Sequence, residues 1–356
     1  MNKVGISINM GKACNFRCKY CFEVKNGAVE SKESLYPKTF DRVIELLHVL
    51  QENNDLVHVE FWGGEPLIYF KDVYRIVKEF SMYDNVEFFM YTNGSLVNKY
   101  KKELLELKNL IGKRLQVQVS YDFHNEENNQ RVQLGKTVME TDKVVKEAIH
   151  FFDDNGFNFG IKSTCTVNDL ENNIYQQYVN YDKFNQTLKH KVVFACTPDT
   201  LSDGLIDFDK MNNQFIKLIQ YFIDNKKDNH GYTGFVWFDT ADRADCHGGD
   251  DSFIVDLDGR VTYCHGCLYA DDKMFYTNIF DDNCLYKIEH NYLVRNNMFA
   301  KNSKCQECDS IFCFRCNSIN SNGKVEDWNK SNNDSVCAMY KKISNYIKAY
   351  QKMRRN

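Results

Sequence analysis

Residues 55–62 read DLVHVEFW. Val57, Val59 and Phe61 alternate with His58, Glu60 and Trp62, so a strand built from them has one apolar and one polar face. The same parity recurs at 3–9 (KVGISIN), where Val4, Ile6 and Ile8 oppose Ser7 and Asn9. It recurs again at 114–121 (RLQVQVSY), where Leu115, Val117 and Val119 oppose Gln116, Gln118 and Ser120. Further strand-like runs lie at 86–92, 157–165 and 191–196. Helical periodicity separates them. In 37–52, Phe40, Val43, Ile44, Leu47 and Leu50 share a face and Pro37 stands near the start, a helix-opening signal; 71–80 and 141–152 are similar. Strands alternating with helices imply a parallel sheet. A sheet covered by helices on both faces is apolar on both. One polar face predicts instead a curved sheet around a wet lumen. The expected fold is α/β, a partial (β/α)6 TIM-like barrel with its site at the C-terminal strand ends. A doubly wound sheet is the alternative.

The chain has 356 residues, 43% of them hydrophobic, enough for one large core or two domains. Lysine plus arginine number 45 against 49 aspartate plus glutamate, a net charge of −4. That balance lacks the basic footprint of a nucleic-acid partner. No apolar run reaches the length of a membrane span, and the start MNKVGISINMGKAC has no signal-peptide core. A cytoplasmic location without a membrane partner is the expectation. Fourteen cysteines then need a role. In a reducing compartment, clustered cysteines point to metal or iron–sulfur ligation rather than disulfides.

Residues 13–23 read ACNFRCKYCFE, placing Cys14, Cys18 and Cys21 in one short loop after the first strand. A [4Fe–4S] cluster takes four ligands, usually Cys thiolates. Three ligands leave one iron open, and an open position separates a reactive metal centre from a structural one. The missing ligand is then the substrate or a cofactor. Zinc with a fourth ligand elsewhere is the other reading of three close cysteines.

CNFRCKYC resembles the CxxxCxxC signature of the radical S-adenosylmethionine (SAM) enzymes, with Tyr20 as the aromatic residue before the third cysteine. The resemblance implies a cluster on Cys14, Cys18 and Cys21 whose open iron chelates the amino and carboxylate groups of SAM. One electron cleaves the sulfonium, and the 5′-deoxyadenosyl radical takes a hydrogen atom from substrate. The protein orients and shields this chemistry. FWGGEPLIY at 61–69 is similar to the family's GGEP motif. On that match Gly63 and Gly64 allow close backbone approach, and Glu65 accepts from the methionine ammonium. YTNGSL at 91–96 resembles the next strand end and equally reads as an Asn-Gly turn. VSYDFHNEENNQRVQLG at 119–135 resembles a strand end followed by a basic position. There Ser120 meets the SAM ribose and Arg131 the methionine carboxylate.

Nine cysteines fall between 246 and 337. Cys246 is followed by HGGDDSFIVDLDGRVTY and Cys264, which reads as a β-hairpin with an Asp-Gly turn at Asp258–Gly259. CQECDSIFCFRC at 305–316 and Cys337 complete the series. The pattern resembles the SPASM extension of radical SAM peptide-modifying enzymes, though its middle run is tighter. Carried over, Cys305, Cys308, Cys313 and Cys337 hold a distal auxiliary cluster, and Cys246, Cys264 and Cys316 a proximal one. The segment 235–245 has no cysteine. The proximal cluster is therefore open at one iron, or completed by Cys267 or Cys284. Zinc is the alternative here too. Cys165, Cys196 and Cys284 read as buried small residues, or, if one faces the lumen, as a hydrogen-atom donor. His247 and His265 read as mere neighbours of ligand cysteines. Related sulfatase-maturating enzymes carry an Asp where His265 stands, which argues against formylglycine formation.

The resemblance thus implies a barrel over 1–230 and a small cysteine-rich SPASM-type domain with a hairpin over 231–356. The expected function is oxidative modification, of the crosslink or thioether type, of a ribosomally made peptide. The expected cofactors are SAM, its [4Fe–4S] cluster and two auxiliary clusters. A flavodoxin or ferredoxin is the expected reductant. With 13 residues before Cys14, a leader-peptide-binding domain is expected on a separate protein, or the peptide binds directly, or the substrate is not a peptide. Peptide epimerisation, sulfatase maturation, small-alcohol dehydrogenation and a non-enzymatic zinc or iron–sulfur module are the alternatives.

Overall fold

A computed structural model describes residues 2–198, 206–225, 227, 233–239, 251–269, 272–290, 308–311 and 334–355. Six strands are mutually parallel: β1 (Lys3–Asn9), β2 (Leu56–Trp62), β3 (Val86–Thr92), β4 (Leu115–Ser120), β5 (Asn158–Cys165) and β6 (Phe194–Pro198). Their spatial order runs straight from 6 to 1. A doubly wound sheet reverses its order at a switch point; this one does not. The sequential order keeps the crossover helices on one face and leaves the other as a lumen.

The crossovers follow from local sequence. Pro37 opens α1 (Pro37–Asn53), whose Phe40, Val43, Leu46, Leu47 and Leu50 are buried at helical spacing. Between β2 and β3 lies α2 (Phe70–Glu79), and between β3 and β4 lies α3 (Lys101–Ile111). A capping box of Thr137 and Glu140 starts α4 (Val138–Asp154), satisfying two otherwise orphaned backbone donors. The crossover after β5 carries α5 (Ile174–Asn185). The core lies between these helices and the apolar strand face. Ile6, Ile8, Val57, Val59, Phe61, Phe88 and Val119 are all buried there.

The opposite face keeps the expected parity. In register across it stand Ser7 beside Glu60, Glu60 beside Phe89, Tyr91 beside Gln118 and Ser120 beside Lys162. Positions on this face of β2 to β4 alternate with the buried ones and are partly exposed, apart from buried Trp62.

The hairpin expected near 246–264 is present as β7 (Ser252–Val255) and β8 (Arg260–Thr262), with Gly259 at φ +87° in the turn. It is not separate from the barrel sheet. β7 pairs in parallel with β1, and β9 (Phe275–Asn278) pairs with β8. Among the described residues this gives a nine-stranded sheet. Phe208–Asp224 forms α6 and Asp334–Arg355 forms α7. No helix among the described residues is long and apolar enough to cross a membrane.

Cys165 and Cys196 correct the sequence reading. They are not isolated thiols but form a disulfide between β5 and β6. Cys165 shares the parity of buried Ile161 and Ser163, so it belongs to the helix-covered face. Parity along β5 carries this information, and the pairing depends on β6 lying alongside.

Candidate active site at the C-terminal strand ends

The loop bearing Cys14, Cys18 and Cys21 leaves the C-terminal end of β1. Cys18 is buried, and Cys14 and Cys21 are half-buried. Neighbouring segments hold the loop from several sides. Arg17 N donates to Val132 O at 2.9 Å and Lys19 N to Gln130 O at 3.0 Å. Ala13 N donates to the Tyr69 hydroxyl at 2.9 Å, which in turn donates to Glu33 O at 3.0 Å.

Gly63 and Gly64 meet this loop directly. Gly64 N donates to Gly11 O at 2.9 Å, and Glu65 N to Ala13 O at 3.0 Å. A Cβ on Gly64 would lie 2.2 Å from Ala13 O, and one on Gly63, at φ +134°, 2.3 Å from Gly11 O. The glycines permit a close backbone approach, and the backbone that approaches here leads into the cysteine loop.

Glu65 is buried. Its carboxylate accepts from Thr92 Oγ1 at 2.7 Å, Asn93 N at 2.7 Å and Leu67 N at 3.1 Å. It therefore ties the end of β2 to the end of β3. Burial raises its pKa against these three donors. A carboxylate offers about four acceptor positions, so one remains for a further donor.

Asn93, a turn residue in the sequence reading, belongs to the site. Its side-chain amide donates to Asn15 Oδ1 at 2.9 Å and lies 3.9 Å from Cys14 Sγ. The Asn-Gly turn that aims it was legible; its partner was not.

Tyr20 and Arg131 are brought together. Arg131 Nη1 donates to the Tyr20 hydroxyl at 2.6 Å, which donates to Asp122 Oδ2 at 2.6 Å. Ser120 and Arg131 line one small cavity with Phe16 and Asp122. Sequence reasoning passed over Asp122, which also accepts from Thr164 N at 2.9 Å.

The thiols suit a cluster. Burial pushes Cys14 up to about 12, with Glu65 adding to it. Burial pushes Cys18 up to about 11 against the pull of Arg131. Such thiols ionise when a metal takes the proton's place. Cys14 Sγ already accepts from Phe16 N at 3.4 Å, the kind of contact that supports a metal-bound thiolate. Three thiols on one short loop are the kind of donor set that holds an iron–sulfur cluster.

Of the C-terminal cysteines, Cys246, Cys305, Cys313 and Cys316 lie outside the described residues. Cys264 and Cys267 are together, with their sulfurs 3.6 Å apart. Cys284 instead interacts with Arg42 of α1. The segment holding Cys308 docks on α7, which carries Cys337. Ser310 and Ser344 hydroxyls meet at 2.7 Å, and Lys348 Nζ pairs with Asp309 at 2.7 Å.

His265 is more than a neighbour of Cys264. Its ring sits edge-on to Trp62, 4.1 Å between centroids, and 6.4 Å from Tyr91. It reaches the polar face of the sheet. The contact joins residues far apart in the chain, so no local signal announces it. Nearby, the Tyr269 hydroxyl donates to buried Glu23, and the Phe22 ring lies tilted against both Trp62 and Tyr269, at 6.3 and 5.9 Å between centroids. The segment after Cys264 thereby packs onto the cysteine loop's exit.

Comparison with known proteins bears on the same segment. The radical SAM cyclopropyl synthase TigE of Paramaledivibacter caminithermalis is 23% identical over 333 residues, 86% of this chain and 66% of that protein. A GTP 3′,8-cyclase of Helicobacter pylori is 32% identical over 100 residues, 28% of this chain and 30% of the cyclase. The chain thus spans between about a third and two-thirds of these relatives' lengths. Among solved structures, anSMEcpe with bound AdoMet and the Cp18Cys peptide matches with TM-score 0.70 at 19% identity, covering 99% of both chains. Streptococcus suis SuiB bound to S-adenosylmethionine matches with TM-score 0.64 at 17% identity, covering 91% of this chain and 75% of SuiB. These likenesses establish the partial-barrel fold. Residues 8–172, a span that contains the cysteine loop, match the radical SAM superfamily.

Proposed function

We propose that this chain is a radical SAM enzyme that oxidatively modifies a side chain of a ribosomally made peptide. The observation that carries the reading is the partly buried loop of Cys14, Cys18 and Cys21, seated on Gly63, Gly64 and Glu65 at the strand ends. When loaded, a [4Fe–4S] cluster and SAM would supply the radical chemistry there. The chain's own residues do the rest. Cys14, Cys18 and Cys21 hold the cluster. Glu65 offers its remaining acceptor position to the SAM ammonium. Tyr20 and Asp122 fix the guanidinium of Arg131, which takes the SAM carboxylate, and Ser120 takes the ribose.

One solved structure of the same fold supports a peptide substrate: anSMEcpe was solved with a bound peptide. Auxiliary clusters in the C-terminal part would take the electron left by an oxidation. Cys264 and Cys267, 3.6 Å apart, favour Cys267 over Cys284 as the ligand completing the proximal one. An outside flavodoxin or ferredoxin supplies the first electron. Epimerisation needs a lumen thiol; of its three candidates, Cys165 and Cys196 are joined on the other face and Cys284 interacts with Arg42 of α1.

The test is anaerobic incubation with SAM, reductant and the short peptides encoded beside the gene. A product lighter by two hydrogens, formed with 5′-deoxyadenosine, is the expected result. SAM cleavage with every peptide mass unchanged would oppose the peptide assignment.

A further inference from the structure

The lumen holds polar atoms that the chemistry above does not use. Trp62 is 6% exposed, and its indole Nε1 is buried with no hydrogen-bond partner. Nε2 of His265, whose ring is 4.1 Å from that of Trp62, is likewise buried and unpartnered. Leaving such a group unpaired costs about 1–3 kcal/mol, so two of them side by side need an explanation.

Lys162 is the third member. It stands on β5 beside Ser120 of β4 and Ala195 of β6. The strand registers put it on the same face as Trp62 and Tyr91. Burial lowers its pKa, and its charge is felt at His265. Among the described residues, no carboxylate lies within 4.0 Å of its ammonium. The nearest acidic influence is Glu60, whose carboxylate is already engaged by Ser7 and Tyr91.

Two of these groups have a fixed sign. An indole N–H and an ammonium only donate, while a neutral imidazole donates from one nitrogen and accepts at the other, so its tautomer can adapt. The Glu60 carboxylate is engaged; the indole N–H and the ammonium are not. We propose that Trp62, His265 and Lys162 form a recognition site for a carboxylate of the substrate. On the function proposed above, that group is either an acidic side chain of the peptide or its C-terminus. Trp62 immediately precedes Gly63 and Gly64, so the carboxylate would anchor the substrate next to the cysteine loop.

The test is anaerobic calorimetry on the cluster-loaded enzyme with SAM. Three probes separate the two sources. N-acetylglutamate α-amide carries only a side-chain carboxylate, N-acetylglutamine only a terminal one, and N-acetylglutamine α-amide neither. One of the two acids should bind, identifying the source, and the diamide should not. Lys162→Met should weaken that acid about tenfold or more, as loss of a charge-assisted hydrogen bond does. Trp62→Phe, which keeps an aromatic ring and removes the N–H, should weaken it severalfold. Thermal melting of both variants checks that they fold. Equal binding of acids and diamide, no binding of either acid, or unchanged affinity in both folded variants overturns the site. Wild-type SAM cleavage is measured in parallel. Cleavage without acid binding removes the site and leaves the radical SAM reading; acid binding that depends on Lys162 without cleavage does the reverse.

Discussion

Gly64 shows how a single hydrogen atom positions the cysteine loop. Any Cβ there must displace backbone oxygens, at 2.2 Å from Ala13 and 2.4 Å from Lys12, and backbone yields less readily than a side-chain tip. Gly64→Ala is expected to push the loop off the end of β2. Its iron content should fall and its reductive SAM cleavage drop by about tenfold or more, a rate loss of about 1.4 kcal/mol at least. Iron analysis beside a 5′-deoxyadenosine assay checks this; wild-type values in both would mean the contact is dispensable. The importance of Gly63 and Gly64 was readable in GGEP, but the partner was not. The fold places the Gly11–Ala13 backbone against these glycines, a contact between segments some fifty residues apart that no local pattern shows. A motif records that space is short, not what occupies it.

At the scale of elements, the short helix Phe22–Lys25 meets the segment after Cys264 through Glu23 and Tyr269. Glu23 is 3% exposed, and burial pushes its carboxyl up to about 6 from 4.5, despite the Tyr269 hydrogen bond. The folded state therefore holds this proton more tightly than the unfolded chain does. Stability falls as pH rises from about 4.5 to about 6 and stays reduced above that. Glu23→Gln keeps an acceptor for Tyr269 without the charge. It should stabilise the protein at pH 7.5 by about 1–2 kcal/mol, and by less at pH 5. Urea unfolding at the two pH values decides; a destabilised Gln variant at pH 7.5 would show that the charged form is the favoured one.

Elements also explain which parts of the fold were legible. The six parallel strands and α1 announce themselves through period and parity, which are local. The hairpin was legible through its Asp258–Gly259 turn, but its docking on β1 was not. That docking rests on pairs such as Gly5 with Ser252, between segments that share no local pattern. His265 was passed over for the same reason: nothing near it in the chain shows that Trp62 lies across from it.

Across the whole molecule, the described cysteines divide by face and by end. One group sits at the strand ends, one follows the hairpin, and one pair joins β5 to β6 on the helix side. Cys165→Ala with Cys196→Ala should leave SAM cleavage at wild-type level, since neither residue reaches the lumen. The double variant should lose about 2–4 kcal/mol of stability under non-reducing conditions, and a thiol reductant should narrow the gap. Loss of SAM cleavage with intact folding would place one of these sulfurs in the chemistry after all.

The central claim is that Cys14, Cys18 and Cys21 hold a cluster that cleaves SAM. The direct measurement is anaerobic iron and sulfide content, paired with reductive SAM cleavage, for the wild type and a Cys14/Cys18/Cys21→Ala triple variant. The variant should contain about four fewer irons per chain than the wild type, keep those bound through the C-terminal cysteines, and make no 5′-deoxyadenosine. Equal iron in both proteins, zinc in place of iron, or a variant that still cleaves SAM would contradict the claim.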